Sequence, residues 1–171
     1  EKWKDFEPWL KDKYGVDYII QDYTLPGKYG AISKIASMGK QILGYLQFSP
    51  SNIYPQSGNV TIYEFKAGDY ALWIPFDKEG RLAGEPMFLL SRNGQYYSKQ
   101  YVNDVCTKEG FLHMGDSTPS LGGCVILSDL GVFYAPEEAK NTIFTSLQFM
   151  EGYGLPVEKV FDNRLIVIYK V

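Results

Sequence analysis

The chain has 171 residues, 45% hydrophobic and 22% charged, enough for one well-buried domain with a small appendage. A net charge of −3 gives no basic footprint and excludes nucleic acid as the expected partner. No run approaches the roughly 18 uninterrupted apolar residues of a transmembrane helix, so no membrane span is expected.

The first residues are Glu1-Lys2-Trp3 rather than Met, which suggests a targeting segment removed upstream and a secreted or cell-envelope location. Trp3, Phe6, Leu10 and Tyr14 fall near one face of a helix over 1–14, which Gly15 stops. Residues 16–23 are strand-like and are closed by Leu25-Pro26-Gly27. Residues 30–48 carry apolar residues at mixed spacing and read as a helix or two short strands. Two prolines, Ser and Gly make residues 49–59 a loop. That loop divides an N-terminal helical appendage, 1–55, from a β-rich domain, 56–171.

Val60–Phe65 alternates, 67–69 turns, and Tyr70–Ile74 continues as a second strand. Met87–Leu90 and Gln95–Ser98 flank Asn93-Gly94, the strongest short hairpin signal, because a type I′ turn needs positive φ at both central positions. Phe111-Leu112 and Val125–Leu127 read as strands around a Gly/Ser/Pro loop. Residues 136–150 are the clearest helix, with proline at its start, Glu137 and Glu138 complementing the dipole, and an Ile143, Leu147, Met150 stripe. Leu165–Tyr169 is a closing strand. The fold class is therefore α+β and predominantly β.

The candidate chemistry lies in Phe111–Leu127. His113 is the only histidine, and it precedes Gly122-Gly123-Cys124 by nine to eleven residues. A thiol titrates at about 8.5 and an imidazole at about 6.5, so a neighbouring histidine can hold a thiolate at neutral pH. Glycines before Cys124 bare backbone N–H groups for an oxyanion. The two cysteines, Cys106 and Cys124, could instead form one bridge, a less favoured reading, which would silence the thiol. A zinc site from Cys106, His113 and Cys124 fits no tight ligand pair and lacks an evident fourth ligand. No cofactor is expected. Asn59-Val60-Thr61 matches a glycosylation sequon, a pattern common by chance.

The stretch His113-Met-Gly115-Asp116, Pro119, then Gly123-Cys124-Val125 resembles the L,D-transpeptidase (YkuD-like) catalytic domain, in particular its shorter-motif phage- and effector-associated relatives. Gly122 stands where those enzymes have a second histidine, and Ile126 where they have arginine. The resemblance implies an L,D-transpeptidase-like β-rich fold with a C-terminal helix. It also implies acyl transfer or hydrolysis on peptidoglycan peptide, or another peptide, through a thioester. Cys124 would be the nucleophile, His113 the base, and Gly122 and Gly123 the oxyanion donors, with Gly115, Asp116, Ser120 and Tyr97 as substrate contacts. Asp116 could also orient the imidazole. The alternative is a non-catalytic carbohydrate- or protein-binding or structural module that keeps the fold.

Overall fold

Strand formation dominates this chain because its β-branched and aromatic residues alternate between glycine-marked turns. The computed structural model describes residues 8–22, 44–56 and 58–171. A π-helical turn, Trp9–Lys13, leads to strand β1, Tyr18–Asp22. Gly15, at φ +60°, separates them, and its N–H bonds back to the Lys11 carbonyl at 2.9 Å. Next come β2 (Leu46–Pro55), β3 (Val60–Ala67), β4 (Tyr70–Asp77), β5 (Met87–Arg92), β6 (Gln95–Tyr101), β7 (Asp104–Thr107) and β8 (Gly110–His113). After a loop follow β9 (Cys124–Ser128), β10 (Gly131–Ala135), helices α1 (Glu137–Lys140) and α2 (Ile143–Phe149), β11 (Glu158–Asp162) and β12 (Ile166–Lys170).

Nine strands form one sheet in the order β6-β5-β4-β3-β2-β10-β9-β7-β8. Each neighbouring pair is antiparallel except β7–β9, which is parallel. Asn93 and Gly94 both take positive φ, 51° and 76°, and close the β5–β6 hairpin as their sequence demands. The sheet curls until the end of β6 meets the loop before β9. Tyr101 donates to the Pro119 carbonyl at 2.9 Å, and Leu121 donates to Tyr101 at 2.8 Å. Phe48, Leu72, Phe88, Val105, Val125 and Tyr134 fill the inside of the curl.

The other face of β7, β9 and β10 carries Cys106, Cys124, Ile126 and Phe133 and packs against Ala139, Phe149 and Met150 of the helical segment. Behind α2 lies a three-stranded sheet, β1-β12-β11, whose Val167 and Tyr169 meet Leu147. The helices thus sit between two sheets, and the molecule is predominantly β.

Several sequence expectations change. Residues 49–59 are largely strand, because β2 runs from Leu46 to Pro55 and pairs with both β10 and β3. Its prolines are tolerated because β10 pairs only with Leu46–Phe48; beyond that β2 has one partner, and a bulge separates Pro50 from Asn52. The sheet therefore runs across the boundary expected at 55/56, and β1 adds to the C-terminal strands rather than to a helical appendage. The single helix expected over 136–150 is two. Thr142 interrupts it and caps α2 by accepting the Thr145 N–H. Strands β7, β10 and β11 add to those read from sequence. Residues 1–7 of the helix expected over 1–14, the turn expected at 25–27 and the segment 30–43 lie outside the described residues.

Gly123 fixes the approach of the loop to β9. Its φ is +92°, and a Cβ there would collide with the Ala135 carbonyl oxygen and lie 3.0 Å from the Pro136 backbone. Both obstacles are main chain and cannot swing away. Gly123→Ala is expected to destabilise the fold by at least about 3 kcal/mol, read as a lowered urea midpoint at unchanged slope.

Candidate functional site

Cys124 opens β9 and Cys106 lies in β7, the adjacent parallel strand. Their sulfurs are joined in a disulfide, and both residues are fully buried. The thiolate nucleophile expected at Cys124 is therefore absent from this state of the protein: the sulfur carries no proton to lose and no solvent reaches it. With both sulfurs bridged, a thiolate zinc site is excluded as well; among the described residues no group of three or more His, Cys, Asp or Glu side chains is placed to hold a metal.

The strand register places Asp104 beside Cys124 and puts His113 directly across from Asp104 on β8. His113 is 56% exposed, and carboxylates take both ring nitrogens. Nδ1 meets Asp104 Oδ1 at 2.7 Å, and Nε2 meets Asp116 Oδ1 at 3.0 Å. The hydrogen bonds to Asp104 and then to Asp116 raise the imidazole above its ordinary value. This favours imidazolium, the form that cannot take a thiol's proton.

Asp104 continues the chain of charges. Its Oδ2 accepts from Lys140 Nζ at 2.6 Å, and Lys140 also reaches Glu137 at 3.4 Å. Burial works to raise the Asp104 value, but hydrogen bonds from Lys140 and His113 outweigh it and hold the carboxyl below its usual range. For Lys140, burial lowers the value while Asp104 and Glu137 raise it, and the ion partners prevail. The result is an ionic row, Glu137–Lys140–Asp104–His113–Asp116, laid over the disulfide.

The remaining expected site residues divide. The Gly123 N–H, expected to serve an oxyanion, donates instead to Glu137 Oε2 at 2.7 Å. The Gly122 carbonyl accepts from Tyr134 Oη at 2.5 Å. Gly115 packs against the Glu85 carboxylate, which also receives the Ser117 N–H at 3.0 Å and the Ser117 hydroxyl, pinning the loop. Asp116 has an almost fully exposed side chain and serves His113. Ser120 is exposed and bridges to Tyr101 through the backbone. Tyr97 is 62% exposed on β6, at the opposite end of the strand order from β8. The structure thus brings His113 and Asp116 together, but joins Cys124 to Cys106 rather than to His113.

Two features had no clear sequence signal. One is a groove of about 620 Å³ with an apolar floor of Tyr70, Phe88, Leu90 and Tyr134, bordered by Glu137 and Glu138. Gly122 lines it, so it adjoins the segment singled out by sequence. Burial, then Glu138 and Glu137, push the Tyr134 phenol up, so it stays a neutral donor. The other is Glu64, only 1% exposed on β3. It accepts from Asn52 Nδ2 at 2.6 Å, Trp73 Nε1 at 3.1 Å, the Tyr54 hydroxyl at 3.5 Å and the Tyr96 hydroxyl. Lys66 Nζ lies 3.6 Å away. These donors come from β2, β3, β4 and β6, so no local pattern announces them.

No protein-family model matches the chain, and no curated protein matches it. Neither comparison identifies an L,D-transpeptidase domain. Among the described residues no helix is long and apolar enough to cross a membrane. A buried disulfide suits an oxidising compartment.

Two outcomes follow. Burial opposes ionisation of Glu64, yet the hydrogen bonds from Tyr96, Trp73, Asn52 and Ser51 hold its carboxyl at about 2, against an unperturbed 4.5. The unfolded chain therefore binds more protons between these values, so stability is complete above pH 4.5 and falls as pH drops toward 2. The loss is on the order of 3 kcal/mol, and Glu64→Gln should flatten this part of a urea-midpoint-versus-pH profile. The disulfide closes a loop with a sequence separation of 18 residues. Replacing both cysteines by alanine should cost about 3 kcal/mol in the same assay.

Proposed function

We propose that this chain is a non-catalytic binding module, and that its recognition surface is the groove beside Gly122. The observation that carries this reading is the combination of a bridged, buried Cys124 with an adjoining groove that pairs an aromatic floor with an acidic border. An apolar floor favours an aliphatic or aromatic stem, and two carboxylates favour a positive end. Glu138 is the freer of the two, since Glu137 already holds the Gly123 N–H and Lys140. A peptide side chain with an aliphatic stem and a terminal amine has both properties. The ligand class is therefore a peptide carrying a lysine-like side chain, in keeping with the peptide partner expected from sequence. Export to the cell envelope or the exterior accords with the disulfide.

The test is a titration of the oxidised protein with acetyl-Ala-Lys-Ala-amide, followed by backbone amide shifts. Saturable shifts at Leu90, Gly122 and Glu138 are expected, with weakening at high salt. Glu138→Gln should weaken binding roughly fivefold, about 1 kcal/mol, while leaving the fold intact. Equal binding by the norleucine analogue would remove the acidic border from the reading.

The acyl-transfer reading requires Cys124 to be reduced and His113 to leave its carboxylates. Turnover of a peptidoglycan tetrapeptide by the reduced protein, absent from the oxidised form and from Cys124→Ser, would replace the binding reading with an enzyme.

A further inference from the structure

A second cavity, about 650 Å³, lies where the β9–β10 turn, the C-terminal end of α2 and the small sheet meet. Three cations, Lys108, Lys159 and Arg164, line it together with three carboxylates, Asp129, Glu151 and Asp162. The lysines are paired within this set. Lys108 meets Asp129 at 3.2 Å and Glu151 at 3.7 Å; Lys159 meets Glu151 at 2.9 Å and Asp162 at 3.6 Å. The lining sums to no net charge, so it offers nothing to select an ion of either sign. What it offers is an alternation of hydrogen-bond donors and acceptors around an apolar patch at Leu130.

Gln148, in the last turn of α2, also lines this cavity. It is 4% exposed, and both its amide nitrogen and its amide oxygen are buried with no hydrogen-bond partner. A buried amide lacking both its donor and its acceptor partner is costly, and native structures hold few of them. Nothing in the packing of α2 requires an amide here, since its neighbours Leu147 and Phe149 fill the apolar clusters on either side. A leucine or methionine would serve packing alone without the penalty.

Side by side, the amide can give one of its two Nε2–H donors to an acceptor and take a donor at Oε1. A vicinal diol supplies this pair: one hydroxyl accepts, its neighbour donates, and the carbon skeleton between them presents C–H surface. The surrounding carboxylates and ammonium groups can take up further hydroxyls without a net field. We propose that this cavity is a saccharide-binding site in which the Gln148 amide reads a vicinal diol. Because the amide is closed to solvent, engagement requires its side-chain torsions to turn it into the cavity. The proposal is independent of the groove beside Gly122, which shares no lining residue with it.

The test follows the Gln148 side-chain NH2 resonances of the full protein during separate titrations with D-glucose, D-galactose and N-acetyl-D-glucosamine, each to about 100 mM. At least one should give saturable millimolar shifts at Gln148 and at the Asp129 and Lys159 amides. 1,3-Propanediol, whose hydroxyls are not adjacent, should leave them unmoved. Gln148→Met, near-isosteric and apolar, should fold with an unchanged or raised Tm and weaken binding at least tenfold. The proposal is overturned if no sugar saturates, or if Gln148→Met binds as well as the parent. It is equally overturned if inorganic phosphate moves the same resonances at lower concentration than any sugar, which would make this an anion site.

Discussion

The attachment of β7 to β9 is the contact on which the rest of this region depends. It is the one parallel strand pair among the described strands of the larger sheet, and its ladder is only two residues long, Val105 with Val125 and Cys106 with Ile126. A parallel ladder is already the weaker kind per residue, and two rungs hold little by themselves. The Cys106–Cys124 bond makes the junction covalent. Through it the β7–β8 hairpin is held against the sheet, and with the hairpin come Asp104, His113 and the loop that closes the curl at Tyr101. Chemistry at Cys124 and the architecture around it thus draw on the same sulfur: a free thiol here would leave the hairpin held by two rungs, the burial of Val105 and the Asp104–Lys140 ion pair.

The ionic row above the disulfide fits this structural role. Each member answers the one before it, from Glu137 at the start of α1 to Asp116 in the loop. Glu137 turns the row toward the backbone by taking the Gly123 N–H. The histidine is consumed as a bridge between two carboxylates, although a lone histidine upstream of a glycine-flanked cysteine suggests a base. Residue types in one segment state which chemistry is available; which partner each side chain meets is decided by strands far apart in sequence.

That division explains what could be read in advance. Hairpins were legible where backbone stereochemistry is encoded locally, as at Asn93-Gly94 and around Gly68. Strand β3 followed from alternation, and β5 and β6 from the hairpin signal between them. β2 was hidden because its prolines signal a loop, and only the pairing geometry shows that they fall where a missing N–H does no harm. The break in the helix at Thr142 was hidden because its cap competes with an otherwise good periodicity. Within the segment 111–127, Gly122 lines a groove. The disulfide was visible only as one possibility, and the groove, the neutral cavity and the Glu64 cluster not at all, since each is assembled from elements tens of residues apart.

The Glu64 cluster also bears on how the curled sheet avoids misalignment. Antiparallel strands can slide, and a slip of one residue sends every side chain to the opposite face. Here such a slip on β2, β4 or β6 would carry Asn52, Trp73 or Tyr96 away from the carboxylate. A charge would then be left buried with too few donors, a penalty steep enough to reject the shifted arrangement. A single carboxylate therefore acts as an alignment key for the wing of the sheet, excluding wrong pairings more than it strengthens the right one.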